Sequence, residues 1–383
     1  MPMKTFPYRL YPSKTQRQAL EATLQTCRRF YNDLLAERKD AYEREGRSLS
    51  KTEQFRRVKC LKDSSPYAEG IHSHILQVVV ADVGKAFDAF FRRVKAGEKP
   101  GYPRFKGRLR FDSIGLKEYG NGFKRDGRRL KVSGIGRIAA RWHRPIEGEI
   151  KTLRIVRKAD GWYACFCCEA DAHPLPETGE VVGIDVGLSA LLVTSDGKKT
   201  QNPRWYRKAQ RKLRVCQRRV SRRKQGGKNR RKAILMLGRV HQRIQNRRKD
   251  FLNKVASELV RRYDGIALED LRISNMVQNR CLSKSILDAG WGYLVSQLTH
   301  KAESAGRVVE LVNPAYTSKT CSGCGILFEH LTLRDRWIDC RCGLSLDRDH
   351  NAAINILKRS RFGQNLSMLS PPIGRLVEEA VAL

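Results

Sequence analysis

The sequence predicts a multidomain chain of mixed α/β and α+β architecture. Three observations carry that expectation. A dense apolar run surrounds one carboxylate, Val181-Val182-Gly183-Ile184-Asp185-Val186-Gly187, and such runs belong in the middle of a sheet. Over the first hundred residues apolar side chains recur at helical spacing and then give way to short alternating runs punctuated by glycine. Late in the chain, four cysteines fall into two closely spaced pairs. At 383 residues the chain is long enough for two or three domains with sizeable cores.

Composition narrows the partners. Lys and Arg total 76 against 39 Asp and Glu, a formal charge of +37 and a pI near 10.2. A chain this basic implies a polyanionic partner, with nucleic acid first and an anionic membrane surface as runner-up. No apolar run is long enough to span a bilayer, and no helix carries the Trp/Phe/Leu face of a surface binder, so no membrane partner is expected. The start, Met1-Pro2-Met3-Lys4-Thr5-Phe6, holds no apolar signal core, so a cytoplasmic location is expected. Eleven cysteines then read as reduced thiols and metal ligands rather than disulfides.

In chain order, Phe6 to Tyr11 alternates as a strand, and Pro12 ends it. Ser13-x-x-Gln16 is a capping box that opens a helix with Leu20, Leu24, Cys27, Phe30 or Tyr31, and Leu34 on one face. A second helix is expected over 52–61. A third runs over 73–94, with Leu76, Val79, Val80, Val83, Phe87, Phe90 and Phe91 inward. The Pro/Gly loop 97–106 pairs Arg104 and Lys106 with Tyr102 and Phe105, which suits phosphates and bases as well as it suits a plain linker. Residues 108–171 read as a small antiparallel barrel or curled sheet. Its runs are Leu109-Arg110-Phe111, 130–132, 150–156 and 162–168, with a hairpin turn at Asp160-Gly161. Tyr8 and Leu10 are placed to supply its first strand, with the helical module inserted between strands. Cys165, Cys167 and Cys168 read as small buried hydrophobes.

Residues 173–177 form a short linker to a hairpin with strands at 181–186 and 190–194 and a turn at Ser195-Asp196-Gly197. Between Asp196 and Asp250 there is no acidic residue. Two helices joined at 225–228 fit this stretch. The second sets Ile234, Leu237, His241, Ile244, Phe251, Val255 and Leu259 on one stripe, and His241 there reads as packed. A solvated face normally mixes charge signs, whereas one sign alone suggests a groove that tracks phosphates. A strand over 266–271, a helix over 285–305 with Trp291, Leu294 and Leu298, and a strand over 307–312 follow. The segment 361–383 holds little pattern and reads as a loosely ordered tail.

Cys321-x-x-Cys324, then Cys340-x-Cys342-Gly343, is zinc-ribbon spacing for a structural Zn2+. The second pair is one residue tighter than usual. That leaves Asp339 as an alternative to Cys340 for the fourth ligand, with Cys340 favoured because four thiolates make the usual closed site. After it comes Asp347-Arg348-Asp349-His350-Asn351, where either Asp is also a plausible helix cap. Asp185 in a strand, Glu269 at a strand end and Asp349 at a helix start each sit at the edge of an apolar pattern. Three carboxylates converging on one spot repel unless cations lie between them, and hard oxygen ligands select Mg2+ or Mn2+. A pair of such ions about 4 Å apart can activate a water and stabilise the leaving oxygen of a phosphodiester.

Gly183-Ile184-Asp185-Val186-Gly187, Leu268-Glu269-Asp270-Leu271, the cysteine pairs and Asp347-Arg348-Asp349-x-Asn351-Ala352-Ala353-x-Asn355-Ile356, in that order, resemble the TnpB family, transposon-encoded relatives of the type V CRISPR effectors. The Tyr8-Arg9-Leu10-Tyr11-Pro12 start and the Gly101-Tyr102-Pro103-Arg104-Phe105-Lys106 loop are similar too. The resemblance spans about residues 3–360. It implies an RNase H-like (RuvC) nuclease over 176–320 and 343–360, with a zinc ribbon inserted at 321–342. It further implies a β-barrel wedge domain over 1–12 and 103–175 that carries a helical recognition domain at 13–102. The activity implied is RNA-guided DNA cleavage beside a short adjacent motif by two-metal-ion hydrolysis. Asp185, Glu269 and Asp349 match the catalytic triad, and Ser73 and Gln77 match the part of the recognition helix facing the adjacent-motif duplex. Phosphate contacts are expected from Arg104, Lys106, Arg218, Arg222 and Arg223. The implied partners are a transposon-derived guide RNA, one chain per guide, and target DNA in the nucleoid.

Other classes leave different marks. A guided repressor is expected to lose triad carboxylates, and this chain keeps three. A transposase with the same metal chemistry needs transposon-end recognition. A basic zinc protein with no activity leaves the three carboxylate sites unexplained.

Overall fold

In a computed structural model, described for residues 3–64, 66–108, 110–332 and 335–367, the chain divides into two compact units, 1–171 and 172–383. None of the described helices is long and apolar enough to cross a membrane.

The first unit opens with β1 (Met3–Tyr11), then α1 (Lys14–Glu45), α2 (Lys51–Ser64), α3 (Pro66–Glu69) and α4 (Ser73–Lys95). The expected capping box is present: the Ser13 hydroxyl accepts from Gln16 N and the Gln16 side chain accepts from Ser13 N. Seven strands follow: β2 (Ser113–Leu116), β3 (Glu118–Tyr119), β4 (Gly122–Asp126), β5 (Arg129–Val132), β6 (Gly136–Arg141), β7 (Glu149–Lys158) and β8 (Gly161–Glu169). They join β1 in one eight-stranded sheet of order β2-β7-β8-β1-β6-β5-β4-β3. Its two edge strands, β2 and β3, are separated in the chain by Lys117 alone, so the sheet has to curl back on itself. The helices therefore lie in the chain between the first and second strands of this curled sheet. Phe6, Tyr8 and Leu10 alternate inward from β1 and share one core with Trp162, Ala164, Phe166 and Cys168 of β8 and the buried faces of α1 and α4.

Two expectations change here. Phe91 is 49 % exposed and Phe90 is half-buried, because the apolar face of α4 ends at Phe87. Beyond it the Tyr102 ring closes over Phe87 and Phe90, with centroids 5.6 Å from each. The strand expected at Leu109-Arg110-Phe111 falls partly on Leu109, outside the described residues, and the ladder begins at Ser113.

The second unit is built on β9 (Val181–Val186), β10 (Ala190–Thr194) and β11 (Lys199–Gln201), then α5 (Trp205–Ser221), α6 (Lys228–Arg262), β12 (Gly265–Glu269), α7 (Ile273–Met276), α8 (Ser283–Ala289), α9 (Trp291–Ala305) and β13 (Val308–Val312). The small hairpin β14 (Trp337–Asp339) and β15 (Ser345–Asp347) leads into α10 (Arg348–Arg359) and α11 (Arg361–Ser367). The main sheet has order β11-β10-β9-β12-β13, antiparallel through β9 and parallel from β9 to β13. One face packs Val182, Ile184, Ile266 and Leu268 against the C-terminal half of α6 and against α9. On the other face Ala267 packs against Ile356 of α10 and Phe362 of α11.

Arg307 pins the start of this sheet. Its side chain is 2 % exposed, pairs with Asp264 at 2.6 Å and donates to Pro176 O at 2.6 Å. Asp264 in turn accepts from Thr178 N and Gly179 N. The linker is thereby held across the strand starts.

The helix expected over 285–305 is two, α8 and α9. Gly290 takes the left-handed conformation (φ 75°) between them, which breaks the ladder while the apolar period runs on. His241 is exposed rather than packed. Val240 and Ile244 of α6 turn inward against Leu213 and Cys216 of α5 in a small separate core, and that register carries His241 outward. Ile234, near the free end of the same helix, is 40 % exposed. Residues 361–367 form α11, seated by Phe362, while 368–383 lie outside the described residues.

Candidate active site and metal centre

Side chains alternate along a strand, so the face that Gly183 presents is also the face of Asp185. A Cβ on Gly183 would lie 2.2 Å from Ala353 O and 2.6 Å from Leu357 N, so α10 rests directly on β9 at this glycine. Asp185 therefore looks toward α10. On β12 the same logic holds: a Cβ on Gly265 would meet the Phe362 ring at 2.9 Å, Ala267 packs on Ile356, and Glu269 continues that face. The parallel ladder between β9 and β12 runs to Ile184↔Leu268, so Asp185 and Glu269 follow one residue later on adjacent strands. Asp349 lies in the first turn of α10, four residues and hence about one turn before Ala353. Small residues at the helix–sheet contact thus bring three carboxylates from distant parts of the chain to one end of one sheet face.

The charges register one another. The carboxyl of half-buried Asp185 is pushed up to about 8, first by burial, then by the charges of Glu269 and Asp349. Glu269 is also raised, by burial, against the opposing effects of a Thr317 hydroxyl bond and the Arg359 charge. Asp349 has Arg348 Nη2 at 3.7 Å and Arg336 Nη1 at 3.9 Å. Asp347 has a different job. One of its oxygens caps α10 by accepting from Asp349 N (3.0 Å) and His350 N (3.2 Å), and the other takes Lys199 Nζ at 2.8 Å. Of the two candidate caps, Asp347 is the one used, and Asp349 is spared that role. His350 Nε2 meets Ser195 O at 3.0 Å and ties the same helix end to the β10–β11 turn.

The four cysteines close into a tighter group. The sulfurs of Cys321, Cys324, Cys340 and Cys342 all lie within 4.8 Å of one another, the last two in the turn that joins β14 to β15. Among the described residues this is the one such closed ligand group. The three carboxylates share a neighbourhood without closing that far, which like charges resist. Four thiolates in this arrangement suit a tetrahedral Zn2+. Asp339 stands outside the group and accepts from Ser345 Oγ at 2.5 Å. The Cys321 thiol is pushed down to about 7: burial raises it, but the backbone N–H groups of Cys324 and Gly323 and the neighbouring thiols outweigh that.

The phosphate and duplex candidates fare unevenly. Arg218, Arg222 and Arg223 are exposed on and just beyond α5, and the first two line a shallow groove with Arg214. Arg104 is exposed, whereas Lys106 is half-buried. Its backbone is clamped by Asn32, and its Nζ lies 5.4 Å from the Tyr31 ring centroid. Ser73 opens α4, and Gln77 accepts from Lys117 Nζ at 3.1 Å.

Sequence reasoning placed Asn351 and Asn355 in a motif but missed that they tie the helix carrying Asp349 to the cysteine loop. Asn351 and Asn355, both buried, bond from α10 to the loop entering the cysteine group: Asn351 to Thr320 O (2.8 Å) and Ser322 N (2.8 Å), Asn355 to Thr317 O (2.9 Å) and Thr320 O (2.6 Å). Thr317 donates to Glu269 Oε1. The available signal was two asparagines four apart inside an apolar helix, where a buried amide needs a partner.

Comparison with known proteins finds similarity over most of the chain. Residues 165–280 match the family model described as "Probable transposase", residues 291–356 the "Cas12f1-like, TNB domain", and residues 1–47 a "Helix-turn-helix domain" that here is β1 and the single helix α1. A "Putative RNA-guided DNA endonuclease" of Streptomyces pristinaespiralis is 35% identical over 362 residues, 92% of this chain and 88% of that protein. The "Putative RNA-guided DNA endonuclease InsQ" of Escherichia coli (strain K12) is 28% identical over 93% of this chain and 92% of its own. A "TnpB-like protein" of Methanocaldococcus jannaschii is 33% identical over a shorter stretch, 33% of this chain and 30% of its own.

Proposed function

This chain belongs to the TnpB family of transposon-encoded RNA-guided DNA endonucleases, and from that premise we propose that Asp185, Glu269 and Asp349 form its phosphodiester-hydrolysing centre. The observation that carries the proposal is their shared position: two carboxylates at the ends of adjacent parallel strands, on the face that α10 covers, with the third on that helix. The donor set fits divalent cations. It is all carboxylate oxygen, and among the described residues the Asp185 side chain makes no hydrogen bond or ion pair, with the charge of Arg348 too weak to offset burial and the neighbouring carboxylates. Bound Mg2+ or Mn2+ would supply the neutralising charge and a water acidic enough to attack phosphorus at neutral pH. The chain's own residues do the rest. Asp185 and Glu269 are held by strand pairing, and Asp349 is oriented by the Asp347 cap. The exposed Arg336 sets positive charge at the rim where a phosphate approaches, and the buried Arg348 lies beside Asp349 beneath it.

The exposed Arg and Lys of α5 and α6, including Arg218, Arg222 and Arg223, would track guide RNA and heteroduplex phosphates, helped by Arg104. The curled sheet would serve as the wedge domain and the helices 13–102 as the recognition domain, with Ser73 and Gln77 toward the adjacent-motif duplex. Residues 321–342 would be a ribbon closed by Zn2+ on four cysteines. One chain would act per guide RNA.

The test is to replace the guide segment of the RNA that copurifies with the protein and map cuts on plasmid DNA with Mg2+. The cut is expected to move with the new guide and to vanish with a chelator. Cuts that ignore the guide would overturn the guided reading, and joined rather than hydrolysed ends would favour a transposase.

A further inference from the structure

We propose that Thr317 is a positioning residue for Glu269: its hydroxyl holds the carboxylate in the orientation that takes up a divalent cation, and α10 in turn holds Thr317. The proposal rests on Glu269 being a cation ligand. Glu269 ends its strand on a side chain with three rotatable bonds, so strand pairing places its Cα but not its oxygens. Thr317 is 3 % exposed, and its Oγ1 donates to Glu269 Oε1. A hydroxyl has one proton, and a second acceptor, Pro314 O, lies 3.1 Å away. Burial alone therefore does not require the bond to Glu269, whereas a carboxylate makes the stronger acceptor.

Thr317 is itself held from two sides. Its carbonyl accepts from Asn355 Nδ2 at 2.9 Å, so the helix that carries Asp349 also fixes the residue that orients Glu269. Just before it, Tyr316 stands in the left-handed region (φ 61°), a conformation that non-glycine residues adopt at a cost. Thr320 Oγ1 (2.8 Å), Lys319 N (3.1 Å) and, through Ala315 O, Arg359 hold that turn in place. The strained turn sends the Tyr316 ring outward and Thr317 inward. Groups that orient metal ligands typically contribute 10- to 100-fold to affinity or activity.

The experiment titrates the full-length protein with Mn2+ alone, reading free Mn2+ by paramagnetic resonance, and in parallel measures single-turnover cleavage of a guide-matched duplex and its binding. Thr317→Val keeps the shape and removes the hydroxyl, and Thr317→Ser does the reverse. Thr317→Val is expected to weaken Mn2+ binding and slow cleavage by about 10- to 100-fold, with duplex affinity unchanged, and Thr317→Ser to restore both. A Thr317→Val protein that binds Mn2+ like the wild type, or a Thr317→Ser protein as impaired as Thr317→Val, would overturn the proposal. If Thr317→Val loses zinc or unfolds, the pair Thr317→Ser and Thr317→Ala, both lacking the methyl, isolates the hydroxyl with the same two outcomes. Glu269→Gln separates the levels. If it binds Mn2+ and cuts normally, the ligand role of Glu269 fails. If it does not, while Thr317→Val is normal, only the positioning role fails.

Discussion

Asp185→Ala is expected to reduce guided DNA cleavage by at least about 10^3-fold, on the order of 4 kcal/mol of transition-state stabilisation, while guide RNA and target binding stay near the wild-type level. The asymmetry follows from where Asp185 sits. It lies on the face of β9 that α10 covers, apart from the exposed cations of α5 and α6, and among the described residues its side chain makes no hydrogen bond whose loss would disturb the fold. Burial and the like charges of Glu269, Asp349 and Asp347 push its carboxyl up to about 8 against the opposing Arg348, so the folded protein disfavours the charged form. The sign is fixed by that direction. A carboxyl whose folded pKa lies above its unfolded value lowers stability once pH rises past the unfolded value, and the penalty is fully present above the folded one. In a chelator at neutral pH, Asp185→Ala should therefore melt above the wild type even as cleavage is lost, the exchange of stability for activity common at functional sites. Melting curves in chelator, filter binding and single-turnover cleavage read the three effects. A folded variant that no longer binds target, or one that still cuts, would remove Asp185 from the catalytic role.

Gly183→Ala is expected to impair cleavage about as severely as losing a positioning group, roughly 10^2-fold, with every carboxylate still present. The added Cβ would sit 2.2 Å from Ala353 O and 2.6 Å from Leu357 N. Both are backbone atoms of α10, so no flexible side chain can swing aside. The helix has to move off the sheet, at a cost of about 1–3 kcal/mol for overpacking. Its first turn carries Asp349, so the shift opens the site between that residue and Asp185. Melting temperature and cleavage rate should fall together. Gly70→Ala, where an added Cβ meets nothing within 4 Å, is the matched control and should change neither. A Gly183→Ala protein that cuts at the wild-type rate would show that helix–sheet contact does not set the geometry.

Local features were the most legible. The capping box at Ser13 and Gln16 and the strand at Val181–Val186 appear where the residues imply, and the hairpin turn expected at Asp160-Gly161 falls one residue earlier, at Ala159-Asp160, with Gly161 opening β8; each is decided by neighbours in the chain. Asp185, Glu269 and Asp349 stood out for a related reason: a carboxylate inside an apolar pattern is conspicuous without its partners. The contacts that organise the site were not legible. Glu269 and Thr317 are 48 residues apart, and nothing near either one announces the other. Gly183 reads as a weak point in a strand until α10 is seen resting on it. Where periodicity misled, a single backbone angle or a change of register was responsible. Gly290 breaks a helix whose apolar spacing continues through it, and in α6 Val240 takes the inward position beside His241.

The most direct test of the carboxylate centre is anomalous diffraction from crystals of the protein soaked in Mn2+. The expected result is manganese density bounded by Asp185, Glu269 and Asp349, separate from the cysteine group. Crystals in which the cysteine group holds its metal while the carboxylate face stays empty at millimolar Mn2+, or in which manganese gathers elsewhere on the second unit, would contradict the assignment of these three residues as the catalytic site.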